Sequence, residues 1–418
     1  MRVRINHRWI AVLLAGAFGL GLLASSAEAQ YFGRNKVQYQ QFDFKVIKTK
    51  HFDVYYYPEF EDMANHGARM AERWYARLSR IFNHELKGRQ PLILYSSSTH
   101  FQQTTAIPDL ISEGTGGLTE AFKRRIILPV GSSLAETDHV IGHELVHAFQ
   151  FDITAQGRPG AGAAGAVALR LPLWFIEGLA EYLSIGSVDP QTTMWMRDAT
   201  RRKEIPPIKK LDNPYKYFPY RYGHALWAYI TGRWGDETVP RLMKGVGRVG
   251  DLEGVMTKTL GVSYETLSKE WLDTYQKSFE PLVSQTRLPG ASAAVVFKGS
   301  EMNPYNIAPS LSPDGKDIIF LSTRDLFSID LYLADARTGK IKKKITETAV
   351  NPEFESIQFI RSSGAWDARG QRFVFGAVSR GQPVLTVFDV HQERIVEEIE
   401  LRDLGEIFNP TWSPDGRR

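Results

Sequence analysis

The spacing of apolar positions changes period several times along the chain. Phe44 to Tyr57 concentrates β-branched and aromatic residues (Val46, Ile47, Val54, Tyr55, Tyr56), which predicts one or two strands. From about Glu59 to Phe82 the period becomes helical, with Ala64, Ala68, Ala71, Trp74, Leu78 and Phe82 near one stripe. Pro91 to Tyr95 reads as a short strand, and Arg125 to Val130 as another, ended by Pro129 and Gly131. Helical spacing then dominates from Thr137 to about Tyr275. Strands followed by helices predict an α+β domain.

The pattern changes again near Ser284. Pro281 to Ser300 loses helical periodicity and carries Pro289-Gly290-Ala291-Ser292, so a domain boundary is expected there. Three similar segments follow. Ser310-Leu-Ser-Pro-Asp-Gly315 leads into Ile318 to Leu321, Ala365-Trp-Asp-Ala-Arg-Gly370 into Phe373 to Phe375, and Thr411-Trp-Ser-Pro-Asp-Gly416 comes last. A turn and a β-rich segment recurring every 46 to 55 residues is close to the period of a propeller blade. These units resemble the PD40 repeats of TolB-like β-propellers, the middle one altered to Asp-Ala-Arg-Gly. Propellers close with about four to eight blades, and only two and a fraction are present. The sequence is therefore expected to be a piece of a longer chain, which recovery of the complete reading frame would test.

Composition narrows the function. The 418 residues carry a formal net charge of +4, part of it from Arg2, Arg4 and Arg8 against Glu28 near the N-terminus. The nearly balanced remainder gives no electrostatic case for nucleic acid. Lys342, Lys343 and Lys344 read as a solvated strand edge rather than a phosphate site. The early arginines precede an apolar run, Trp9 to Ala24, and then Ala27-Glu28-Ala29, the features of a cleaved signal peptide. The run is shorter than the ~20 residues that cross a bilayer as a helix, so no permanent span is expected after cleavage. There is no cysteine, which excludes disulfides, thiolate metal sites and a lipidated cysteine.

The chemistry concentrates in Ile141-Gly-His-Glu-Leu-Val-His-Ala-Phe149. On a helix, His143 and His147 lie one turn apart on one face and offer two zinc donors. Glu144 stands beside them, placed to take a proton rather than to bind metal. The plainer reading, a polar patch on a helix surface, conflicts with the apolar flanks Val140, Ile141, Leu145, Val146, Ala148 and Phe149.

Leu171-Pro-Leu-Trp-Phe-Ile-Glu177-Gly-Leu-Ala-Glu181-Tyr182 resembles the W-x-x-E-G-x-A-x-Y helix of gluzincins, the HExxH…E zinc peptidases of the peptidase MA clan. The resemblance implies that Glu177 is the third zinc ligand and that Glu181 orients His143 from behind. The alternative for both is an ordinary helix face. Pro219-Tyr220-Arg221-Tyr222-Gly223 resembles the P-Y-x-x-G segment of M1-like enzymes, which implies that Tyr220 stabilises the oxyanion. Tyr222 and His224 could substitute, and a merely aromatic core helix is the alternative. The gap from His147 to Glu177 exceeds the family's usual spacing and holds Gly157 to Gly165, expected as a surface loop or flap. The G-x-M-E-N exopeptidase motif is absent, and Arg125 to Val130 takes the expected place of the substrate-binding edge strand. Endopeptidase activity is thereby slightly favoured over aminopeptidase activity.

The expected organisation is a signal peptide over residues 1–29, an α+β zincin-like metallopeptidase domain over 30–285, and an incomplete all-β propeller over 286–418. The expected function is an exported (periplasmic or extracellular) zinc peptidase. It would hold one Zn²⁺ per chain through His143, His147 and Glu177, with Glu144 as general base. Its partners would be a peptide or protein substrate and a protein held by the propeller. The rivals are a propeller-based binding protein with a vestigial zincin domain, a zinc hydrolase of a non-peptide substrate, and a structural zinc site in which Glu144 has no task.

Overall fold

The computed structural model describes residues 38–108, 110–112, 114–121, 123–131, 133–155, 170–300, 305–325, 328–348, 356–357, 363–401 and 406–418. The expected signal peptide and the run Gly157 to Gly165 lie outside the described residues.

The β-rich segment Phe44 to Tyr57 divides into β1 (Lys45–Lys48) and β2 (Phe52–Tyr56), because Thr49 turns the chain and bonds through its N–H to the Phe52 carbonyl. Helix α1 (Glu61–Phe82) buries the predicted stripe, Ala64, Ala68, Ala71, Trp74, Leu78 and Phe82. It carries the chain over to β3 (Gln90–Tyr95), which pairs parallel with β2. After the one-turn helix α2 (Ser98–Phe101) come β4 (Leu118–Glu120) and β5 (Arg125–Pro129), giving the sheet order β1-β2-β3-β5-β4. This corrects the expectation for Arg125 to Val130. β5 pairs with β3 on one side and β4 on the other, so Leu118 to Glu120 form the edge. The reason is burial: Ile126, Ile127 and Leu128 are each fully covered, as an interior strand with both faces packed requires.

Helix α3 (Leu134–Ala155) begins earlier than its apolar pattern suggests, because the Ser133 hydroxyl accepts from the Glu136 N–H. Every residue from Ile141 to Gln150 is buried, which makes α3 the central helix of the α+β part. Helices α1, α4 (Leu173–Ile185) and a later helix, α7 (Thr238–Val249), pack on it; α6 (Pro219–Trp234) packs on α4, α5 (Pro190–Arg202) on α6, and α8 (Leu252–Leu260) and α9 (Tyr264–Ser284) follow. Helices α4 and α6 cross in backbone contact at Gly178 and Gly223. A Cβ on Gly223 would lie 2.2 Å from the Trp174 carbonyl oxygen, and one on Gly178 would lie 2.3 Å from the Gly223 carbonyl carbon. The glycine of each helical motif is thus the point where the two helices touch.

Two antiparallel sheets follow. The first is a meander of β6 (Asn306–Leu311), β7 (Asp317–Ser322), β8 (Asp330–Asp335) and β9 (Ile341–Lys344). In the second, β10 (Ser356–Ile357) and β11 (Ala365–Trp366) both pair with β12 (Arg372–Ser379), which continues into β13 (Gln382–Asp389) and β14 (Arg394–Glu400). The three turns share one hydrogen-bond pattern. The N–H groups of Ser312, Asp367 and Ser413 bond to the carbonyls of Asp317, Arg372 and Arg418, and those of Gly315, Gly370 and Gly416 to the carbonyls of Ser312, Asp367 and Ser413. Each unit also docks on the one before: Trp366 donates to the Ser310 carbonyl at 2.9 Å and Trp412 to the Ala365 carbonyl at 3.1 Å. No closed propeller forms among the described residues. Lys342, Lys343 and Lys344 lie on β9, an edge strand, each beside a carboxylate (Asp317, Glu393, Asp325).

Candidate metal centre

Helix period brings His143 and His147 to one face of α3, and the crossing helix α4 aims Glu177 between them. His143 Nε2, His147 Nε2 and Glu177 Oε2 form a triangle with all three sides 3.2 Å. Both imidazoles are buried and Glu177 is nearly so.

The surroundings choose the tautomers. Gln150, one turn beyond His147, donates its amide N–H to the Ile176 carbonyl at 2.9 Å, which turns its amide oxygen toward His147 Nδ1 at 2.8 Å. His147 therefore carries its proton on Nδ1 and presents a lone pair at Nε2. Glu181 Oε1 lies 3.1 Å from His143 Nδ1, although the contact misses hydrogen-bond alignment. The other Glu181 oxygen accepts from Arg221 Nη1 at 2.9 Å, and Arg221 also meets Asp189 Oδ2 at 3.2 Å and Gln191 Oε1 at 3.0 Å. Glu181 is thus braced from behind while facing His143.

These donors suit a zinc ion. Ligands held tetrahedrally at ~2.0–2.1 Å stand about 3.3–3.4 Å apart, close to the observed triangle. Two Nε2 lone pairs converging at 3.2 Å otherwise require a proton to separate them. A second cluster, His139, His143 and Glu181, shares His143. It is the poorer donor set, because His139 Nε2 stands 3.6 Å from Glu181 Oε1 and the carboxylate is already held by Arg221.

The electrostatics agree. Burial alone lowers the His143 imidazole, but Glu177 and Glu181 outweigh it and raise it to about 10. His147 is shifted the same way, against burial, by Glu177. Burial likewise pushes the Glu177 carboxyl up, yet the two imidazoles hold it well below the carboxylate range. The Glu177 carboxylate and the two imidazoles make each other's charged forms cheaper, while the imidazole of His143 opposes that of His147.

Glu144 is buried beside His143, and Thr119 Oγ1 reaches it from the edge strand β4, 2.7 Å from Glu144 Oε2 and 2.9 Å from its carbonyl. Tyr220, the second residue of α6, stacks its ring on His143 with centroids 5.7 Å apart and planes 16° apart. Burial, with the charges of Glu177 and Glu144, drives its hydroxyl above the ordinary phenol range and keeps it protonated. Tyr222 and His224 do not share the site. Tyr222 packs against Trp195 and Tyr217, and His224 Nε2 meets the Gly186 carbonyl at 2.7 Å. Helix rotation of ~100° per residue turns Tyr222 away from Tyr220, whereas His224 lies near the same face but one turn further along, where it meets Gly186.

The side chains singled out in the sequence, His143, Glu144, His147, Glu177 and Tyr220, lie close together in the fold. Sequence reasoning did not identify Thr119, Gln150, His139 or Arg221. Gln150 and His139 carried a usable signal, sitting one turn from the two histidines on the same helix. Thr119 and Arg221 carried none, because their contacts depend on tertiary packing.

No protein-family model matches this chain. No curated protein matches it either. Solved structures similar to part of it include TolB from Acinetobacter baumannii, with 21% identity, a TM-score of 0.21, and coverage of 27% of this chain and 25% of that one. The β-propeller domain of the Trilobed protease from Pyrococcus furiosus shares 25% identity, with a TM-score of 0.19 and coverage of 23% and 29%. The acylaminoacyl peptidase of Pyrococcus horikoshii shares 20%, with a TM-score of 0.17 and coverage of 23% and 18%. This chain spans less than a third of the length of each. The likeness is partial and of low TM-score, and it carries no argument about the candidate metal centre.

Proposed function

We propose that this protein is an exported zinc-dependent peptidase. The observation that carries the reading is the triangle of His143 Nε2, His147 Nε2 and Glu177 Oε2, three ligand atoms at 3.2 Å beside the buried Glu144 carboxylate, which accepts from Thr119 instead. Three protein donors leave a fourth position for the reaction, the composition of a catalytic rather than a structural site. Zinc held there supplies Lewis acidity toward a water and a scissile carbonyl. Glu144 takes the proton of the attacking water and delivers it to the departing amine. The hydrogen bond from Thr119 fixes which way the Glu144 carboxylate faces. Tyr220, kept protonated by burial and by its carboxylate neighbours, donates to the oxyanion.

The edge position of β4 supports a peptide substrate. The strand is the last in the order of its sheet, and Thr119 ties it to Glu144. An extended peptide added there runs past the base. The β-sheet units after residue 300 would hold a partner or restrict access, a role argued from architecture alone. Export rests on the N-terminal sequence; among the described residues no helix is long and apolar enough to cross a membrane.

The test joins metal content to turnover. The wild type is expected to hold about one zinc per chain and to cleave members of a peptide library. Glu144→Gln is expected to keep the zinc and the fold while losing about 10²–10⁴-fold in rate. Zinc-loaded wild type that cleaves no peptide, or a Glu144→Gln variant as active as the wild type, refutes the reading.

A further inference from the structure

The second β-sheet, β10 to β14, touches the α+β part at two points. β12 and β13 are joined by the two-residue turn Arg380-Gly381, with φ of 50° and 69°. A turn at the end of a sheet ordinarily points into water, as His391 to Glu393 do at the other end of β13. Gly381 is instead buried. A Cβ on it would lie 2.8 Å from Tyr39 Cδ2 and 3.0 Å from Gln103 Nε2, so the α+β part is what covers it. Gln103, itself buried, accepts from the Tyr39 N–H at 2.9 Å and donates to the Thr99 carbonyl at 3.2 Å. The second point is Glu406, whose Oε1 accepts from the Ser98 N–H at 3.1 Å. Both points fall on one short stretch, Ser98 to Gln103.

That stretch runs on to the strand that braces the base. Arg125 on β5 donates through Nη2 to the Ala106 carbonyl at 2.8 Å and through Nε to Glu120 Oε2 at 3.2 Å. One side chain thus holds both the loop after Gln103 and the end of β4. Between them Gly117 lies against the base, where a Cβ would stand 3.0 Å from Glu144 Cγ and 2.9 Å from Val140 Cγ1. Thr119 then donates to Glu144 Oε2 at 2.7 Å. The loop has one end under the sheet and the other at the base, and close packing leaves little room to absorb a shift between them.

We infer that the second β-sheet is a built-in regulator of the base: docked on Ser98 to Gln103 through Gly381 and Glu406, it holds the loop whose far end positions Glu144. The docking stands on these contacts alone. Its effect on turnover rests on the zinc-peptidase reading.

Hydrogen exchange read by mass spectrometry on the full chain reports both ends of the loop without a substrate. Glu406→Ala removes one contact. Gly381→Asn wedges the other, because asparagine accepts a positive φ but brings a side chain against Tyr39 and Gln103. Gly315→Asn is the control, a turn glycine at φ 74° with nothing within 4 Å of its Cβ. In both docking variants the amides of Ser98 to Gln103 are expected to exchange about three- to tenfold faster, with those of Leu118 to Glu120 following, and Gly315→Asn to change neither. In the same two variants kcat is expected to fall about tenfold or more at unchanged KM and zinc content, as a displaced base requires and a lost ligand does not. Unchanged exchange at Ser98 to Gln103 overturns the docking. Faster exchange there with Leu118 to Glu120 unmoved, or with kcat unmoved, overturns the hold on the base. A wild type that cleaves no peptide removes the peptidase reading, and exchange at the two ends still decides the docking and the coupling.

Discussion

Replacing Glu181 by glutamine tests whether the residues behind His143 set the affinity of the site. The glutamate divides its oxygens between His143 Nδ1 at 3.1 Å and Arg221 Nη1 at 2.9 Å, and it is almost fully buried. Burial alone would raise its carboxyl, but His143 and Arg221 hold it below its ordinary range, so it is ionised at neutral pH. Glutamine fills the same volume but has one acceptor oxygen and no charge. It can satisfy Arg221 or face His143, not both. Losing one charge-assisted contact at a buried site amounts to about 1.5–3 kcal/mol. Metal sites that lose a supporting carboxylate bind ~10–100-fold more weakly, or about 1.4–2.7 kcal/mol, so the two routes agree. The assay is competition for zinc against a chelator of known affinity, with thermal unfolding of the zinc-free chain as the control for folding. A Glu181→Gln variant that folds normally and holds zinc within twofold of the wild type would refute the idea that Glu181 positions His143.

Gly223→Ala places a methyl group 2.2 Å from the Trp174 carbonyl oxygen. The ~1 kcal/mol gain in helix propensity is outweighed by overpacking against rigid backbone, for a net loss of about 2 kcal/mol or more, read as a lower denaturant midpoint together with weakened zinc binding. In the zinc-free chain His143 is raised to about 10, above its ordinary value, so its protonated form stabilises the fold fully below pH ~6.5, and this contribution is lost as the pH rises through about 10. Zinc must displace that proton, so its apparent affinity should rise about tenfold per pH unit between pH ~6.5 and about 10; a flat profile, after correction for the chelator, contradicts it. In the second repeat, Asp367 Oδ1 accepts from the N–H groups of Gln371 and Arg372, while the serine hydroxyls of the other two turns accept from Asp317 and Arg418. Asp367→Ser is therefore expected to cost under about 1 kcal/mol and Asp367→Ala about 2 kcal/mol or more, measured by urea unfolding.

How much of this was legible beforehand follows from the range of the interactions. His143, Glu144 and His147 are joined by one helical turn, and Glu177 and Glu181 by another, so their common faces follow from backbone period alone. The recurring turns were equally local: a glycine at positive φ and a short side chain accepting from the following backbone identify them even where Asp367 replaces serine. The predicted stripe of α1 became its buried face for the same reason. What sequence could not decide were contacts between segments far apart in the chain. Which strand lies at the sheet edge depended on β5 being covered on both sides. Which residue of Tyr220, Tyr222 and His224 meets the donors depended on how α6 is rotated and placed along α4, and two glycines in backbone contact fix where the two helices cross. Thr119 and Arg221 entered the site only because packing delivered them. Local periodicity is enforced by every successive peptide unit, whereas these meetings are chosen by close packing, which a single chain of letters records only at the points where a side chain had to be left out.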